Sequence, residues 1–72
     1  MKNIIIKTEY IKLNQLMKLA GYVAMGSDTK GLVENGSIKR NGEKVTELRK
    51  KIYPGDIVSV AGEEDIKIQG QE

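Results

Sequence analysis

The chain has neither cysteine nor histidine. The first absence rules out disulfides and thiolate metal sites; the second removes the commonest general base and metal ligand. Tryptophan and phenylalanine are missing too, so Tyr10, Tyr22 and Tyr53 are the only aromatics. No apolar run approaches the roughly 18 residues needed to span a bilayer, and Met1 to Ile6 is too short for a signal peptide. The expectation is a cytoplasmic protein. At 72 residues the chain is expected to form one domain, residues 1–72, with a small core.

Charge is present in both signs and unevenly spread. The net charge is only +2. Between residues 37 and 55, however, Lys39, Arg40, Lys44, Arg49, Lys50 and Lys51 face only Glu43 and Glu47, an excess of four positive charges. From residue 56 onward Asp56, Glu63, Glu64, Asp65 and Glu72 face only Lys67, an excess of four negative ones. Solvation explains most such asymmetries; a basic patch for polyanions with an acidic edge is the sharper reading.

The stretch from Ser27 to Gly42 organises the rest. Ser27 and Asp28 suit a helix start, with Leu32 and Val33 turned inward. Asn35-Gly36 stops that helix, Ser37 to Arg40 reads as a strand, and Asn41-Gly42 is a strong two-residue hairpin signal. Upstream, residues 3–8 are β-branched and read as an edge strand. From Lys12 to Ala20 the period changes: Leu13, Leu16, Met17 and Ala20 define one helix face, with Lys12, Gln15 and Lys18 opposite. Thr8 and Asn14 are both candidate caps, and Gly21 ends the helix. Downstream, Lys44-Val45 returns from the hairpin, and Thr46 to Tyr53 is a basic loop or irregular strand anchored by Leu48 and Ile52. Pro54-Gly55 fits a type II turn. Residues 56–60 and 66–69 read as strands around a turn at residues 62–65, and Gly70 to Glu72 as a frayed tail. The order is β-α-α-β-β-β-β, an α+β fold with two helices on one side of a small antiparallel sheet.

Catalysis has little to work with. Without cysteine or histidine, only carboxylates and lysines could activate a nucleophile. Consecutive Glu63, Glu64 and Asp65 point apart and lack the spacing of a calcium loop, and the glycines form no phosphate loop. No metal or other cofactor is expected. Nucleic-acid binding fits better, through Arg49-Lys50-Lys51 with Lys39 and Arg40 near in sequence and helix-start donors suited to phosphate. The tyrosines do not alternate with basic residues as a single-strand stacking platform would, and read as half-buried packing residues. A duplex or folded RNA read by shape and phosphate is the expected ligand. A module that adds a partner strand at a sheet edge, and a DNA-binding helix pair, are the alternatives.

Four runs then carry a resemblance: Leu16 to Gly21; Thr29-Lys30-x-Leu32-Val33-x-x-Gly36; Ile38-x-x-Asn41-Gly42-Glu43; and Arg49-Lys50-Lys51-x-x-Pro54-Gly55-Asp56. Together they resemble the S-four RNA-binding domain family, whose core is the alpha-L motif, and most of all its small stand-alone bacterial members of the YaaA/YbcJ type. The resemblance spans the whole chain. It implies RNA binding through the two helices and the hairpin, with Lys18, Ser27, Lys30, Lys39, Asn41, Arg49, Lys50 and Lys51 on the RNA-facing surface; Lys12 is a further candidate contact, and Arg40 either adds a contact or lies along the sheet edge. It also implies a role in ribosome assembly or a ribosome-linked process; the expected partner is structured, ribosomal RNA, a ribosomal subunit or an assembly intermediate, and the expected state a monomer. Two positions depart from the pattern: Met25-Gly26-Ser27 stands where Ser-Gly-Gly is common, and Arg40 where an apolar residue usually precedes Asn-Gly. Asn41 already has a role as a turn residue.

Overall fold

The computed structural model describes residues 1–71. Its elements are β1 (Lys2–Ile6), β2 (Ile11–Lys12), α1 (Leu13–Leu19), a 3-10 turn (Gly26–Asp28), α2 (Thr29–Glu34), β3 (Ile38–Arg40), β4 (Glu43–Lys44), β5 (Lys51–Ile52), β6 (Ile57–Val60) and β7 (Ile66–Gly70). The α+β class holds, with two helices packed on a five-stranded sheet of order β1-β7-β6-β3-β4 and a separate two-stranded pair, β2-β5.

The main sheet is mixed, which corrects the expected antiparallel one. β1 runs parallel to β7, with Lys2 opposite Ile66 and Ile6 opposite Gly70, whereas the other pairs are antiparallel. Both strands carry apolar residues at alternate positions, so either direction would bury Ile4 and Ile6. The direction depends on the intervening chain, which brings β1 to the free side of β7. β1 does lie at the sheet edge, as its lysines suggested. The tail is not frayed through its length: Gly70 belongs to β7 and the Gln71 N–H donates to the Ile6 carbonyl at 3.0 Å. Glu72 lies outside the described residues.

One face of the sheet makes the core. Ile4, Ile6, Ile38, Val58, Val60, Ile66 and Ile68 meet Leu13, Leu16, Met17 and Ala20 of the first helical segment, with Val33 from α2, Ile52 from β5 and Val45 from the segment after β4. The helix phasing is therefore as the spacing requires, and Leu13, Leu16 and Met17 are fully buried. Leu32 and Leu48 are half-buried rather than sealed.

The helix starts differ from expectation. Neither Thr8 nor Asn14 caps α1; Lys12 precedes it in extended conformation, and the Leu13 N–H is satisfied by the Lys50 carbonyl at 2.8 Å. Thr8 instead donates to the Tyr10 carbonyl. Before α2 the chain makes the 3-10 turn, in which the Asp28 carboxylate accepts from the Met25 N–H and the Asp28 N–H donates to the Met25 carbonyl. Asp28 thus works as a helix-start residue, whereas Ser27 is exposed and makes no cap.

The stops are as read. After α2, Ser37 N–H bonds the Leu32 carbonyl at 2.9 Å and Gly36 N–H the Val33 carbonyl at 3.2 Å. This is a Schellman arrangement, and Gly36 takes its left-handed position at φ 76°. The same pattern closes α1 through Gly21 and Tyr22. Asn41 and Gly42 have φ of 51° and 84°, joining Arg40 to its cross-strand partner Glu43 in a two-residue hairpin. At the second turn, Gly55 has φ 95° and the Asp56 N–H returns to the Tyr53 carbonyl at 3.0 Å.

Candidate functional site

Asp56 is buried just before β6, close in sequence to the basic run from Arg49 to Lys51. Its carboxylate accepts from Arg40 Nε at 2.9 Å, Asn41 Nδ2 at 3.0 Å and the Tyr53 N–H at 2.8 Å. Burial pushes the carboxyl group up, but the Tyr53 N–H, the Arg40 guanidinium and the Asn41 amide outweigh it and hold Asp56 below the usual carboxylate range. An ionised acid therefore ties together the β3–β4 hairpin, the Pro54-Gly55 turn and the basic segment before it.

That hub sets what Asn41 and Arg40 can do. Asn41 uses both ends of its amide, since its Oδ1 accepts from the Ile57 N–H at 2.9 Å. Its role here is the turn, though the exposed amide keeps one N–H donor beyond those bonds. Arg40 spends only Nε on Asp56, and a guanidinium has four further N–H donors. It stands at the rim of the core face, where an apolar residue would have left Asp56 without its cation.

Beside Arg40 lies a cleft of about 300 Å³ lined by Arg40, Glu47, Arg49, Lys50, Lys51 and Tyr53. The β2–β5 pair brings Lys12 into register with Lys51. Two like charges directly opposite on a ladder repel one another, and a bound anion would relieve that repulsion. Lys51 Nζ lies 4.9 Å from the Tyr10 ring centroid, and the Tyr10 and Tyr53 rings are 5.8 Å apart at 49°. The fold thus gathers Arg40, Arg49, Lys50 and Lys51 around one cleft, with Lys12 in register with Lys51.

The remaining predicted residues lie elsewhere. Lys39 alternates with Arg40 along β3 and so takes the opposite face of the sheet, in register with Lys44 and Ser59. Lys18 is exposed in the last turn of α1 beside Leu19, which is 61% exposed. Lys30 is exposed on α2, 3.9 Å from Glu34, a pair worth only a few tenths of a kcal/mol. Lys12 precedes α1 rather than sitting on its polar face. The α2 start offers less to a phosphate than expected, because the 3-10 turn uses its N–H groups and Asp28 adds a negative charge.

Tyr10, Tyr53 and Asp56 are not among the residues that the sequence marks as candidate contacts. Asp56 had one signal, a lone acid just after the most basic run. The tyrosines had none, being 43 positions apart in sequence. The Glu63 to Asp65 turn is exposed, as its spacing implied. Among the described residues no cluster of acidic side chains could hold a metal ion, and no helix is long and apolar enough to cross a membrane.

The chain is 35% identical over 60 residues to a tyrosine–tRNA ligase of Nitrosomonas europaea, covering 83% of this chain but 14% of the ligase. The S4 domain profile matches residues 4–69, which include the hairpin, both helices and the basic segment. S4 domains are RNA-binding modules with no catalysis of their own. By a match over nearly its whole length, the chain belongs to the S4 domain family.

Proposed function

We propose that this protein is a non-enzymatic, monomeric, cytoplasmic binder of structured RNA, acting on ribosomal RNA in ribosome assembly or a ribosome-linked process. The observation that carries the reading is the convergence of Arg40, Arg49, Lys50 and Lys51 around one cleft, with Lys12 in register with Lys51 and the acidic turn at residues 63–65 in another part of the chain. Cations held at fixed spacing match the phosphates of a folded backbone, and such contacts orient the protein without reading sequence. Lys18, Ser27 and Lys30 on the helices and Lys39 on the outer sheet face would make secondary contacts. Asn41 acts through the turn.

The ligase likeness adds transfer RNA as a second structured ligand to assay. Crosslinking the protein to RNA in cells and sequencing what is attached tests the proposal directly. Enrichment of ribosomal RNA fragments is expected. Enrichment of transfer RNA would move the function to that ligand, and recovery of no RNA would overturn it. The sheet-edge alternative draws on β1, an edge strand with Ile5 63% exposed. It requires binding to a protein that is indifferent to salt.

A further inference from the structure

We propose that the cleft beside Tyr53 receives one unpaired nucleotide of a structured RNA, its base stacked on the Tyr53 ring and its flanking phosphates on Arg49, Lys50 and Lys51. This rests on the RNA-binding reading above and narrows the ligand from a continuous helix to one interrupted by an unstacked base.

Three features of the cleft select that occupant. The first is size. About 300 Å³ lies at the small end of pockets that hold a small molecule, so it suits one nucleotide and not a duplex. The second is the ring. Tyr53 is 39% exposed in a domain whose other aromatic rings are further covered, and its position is set from several sides. Its N–H is bound to Asp56, its carbonyl accepts the return bond of the Pro54-Gly55 turn, and Tyr10 packs against its ring. A ring already held in place loses little freedom when a base stacks on it, and stacking tolerates any base because each has a π-face. The third is Glu47. It lines the same cleft, and its carboxylate has no cation within ion-pair distance among the described residues. A phosphate alone would be repelled there. A nucleotide satisfies both signs, placing its phosphates on the lysines and presenting base N–H donors to Glu47.

The arrangement also gives the tyrosines separate roles. Tyr53 would touch the base. Tyr10 would be a positioning residue, bracing Tyr53 while its ring carries the Lys51 ammonium.

The test uses the intact protein and a short RNA hairpin with a single bulged guanosine in its stem. A matched hairpin has an abasic site at the bulge, so the phosphates are equal in number and only the base is missing. The protein should bind the abasic RNA about 5- to 150-fold more weakly, the range expected for loss of one base–aromatic stack. Tyr53→Leu should lose a similar factor on the guanosine RNA, lose little more on the abasic one, and keep the parent's salt slope. Tyr53→Phe should bind as the parent does, which separates the ring from any effect on folding. Equal affinity of the parent for the two RNAs, with a normal salt slope, overturns the stacked nucleotide and leaves the phosphate patch standing. Absence of salt-dependent binding to either RNA overturns the patch as well.

Discussion

Asp56 and Asn41 are joined by a 3.0 Å hydrogen bond from the turn amide to the buried carboxylate, across 15 positions of sequence. Arg40 occupies the other carboxylate oxygen at 2.9 Å. The hairpin that presents the basic rim is thus held from behind by an acid, and the cation beside it is aimed by the same group.

Replacing Asp56 with alanine should therefore destabilise the fold by about 1.5–3 kcal/mol, the range for hydrogen bonds to a charged group whose partners are left unpaired. Urea unfolding should show a lower midpoint at unchanged slope. An unchanged midpoint would mean that the carboxylate is dispensable to the turn.

The same residue should leave a signature in pH. Its carboxyl group is held below the ordinary range in the folded chain, so the unfolded state takes up the proton first as pH falls. The stabilisation is complete at neutral pH, starts to decline near the unfolded value of about 4, and is lost as pH passes down through the folded value. The stability difference between the parent and Asp56→Asn should shrink below about pH 4. A difference that stays constant down to about pH 2 would count against an ionised Asp56.

Gly42→Val should cost about 1–2 kcal/mol, the penalty for a residue with a Cβ in left-handed conformation. A Cβ built on Gly42 meets nothing within 4 Å, so the cost is in the backbone alone. Thermal unfolding at the parent's temperature would refute it.

Leu16→Ala should cost about 2–5 kcal/mol, since Leu16 is 0% exposed at the centre of the core. That is a large part of the stability of so small a domain. Circular dichroism during urea titration measures it, and parent-like stability would contradict the packing of α1.

Changing Arg49, Lys50 and Lys51 together to glutamine should weaken RNA binding and flatten the slope of log affinity against log salt by roughly two units, at about 0.7–0.9 for each phosphate no longer neutralised. The order of preference among RNAs should not change. Glu63→Gln with Glu64→Gln should leave binding equal or slightly stronger. Titration of folded ribosomal RNA fragments at several salt concentrations reads both, and a triple variant with the parent's affinity and slope would remove these residues from the interface.

What the sequence determined by itself was local. Asn41-Gly42, Pro54-Gly55 and Gly36 declare their turns because φ preference belongs to the residue and needs no partner. The spacing of Leu13, Leu16, Met17 and Ala20 declares a buried helix face because the period of a helix is set by its own backbone. The basic run from Arg49 to Lys51 could be read directly. Tertiary structure decided the rest. Alternation in β1 shows which residues are buried, but is the same for either strand direction, so only closure of the whole chain made β1 parallel to β7. The two-residue pair β2-β5 is too short to have a period, and it exists because Ile11 meets Ile52 and the Leu13 N–H finds the Lys50 carbonyl. By that pairing Lys12 left its expected helix face and joined Lys51, and Tyr10 came within 5.8 Å of Tyr53. Pairings between residues so far apart in the chain leave no mark in either local stretch, because each residue's own preferences are satisfied with or without the other.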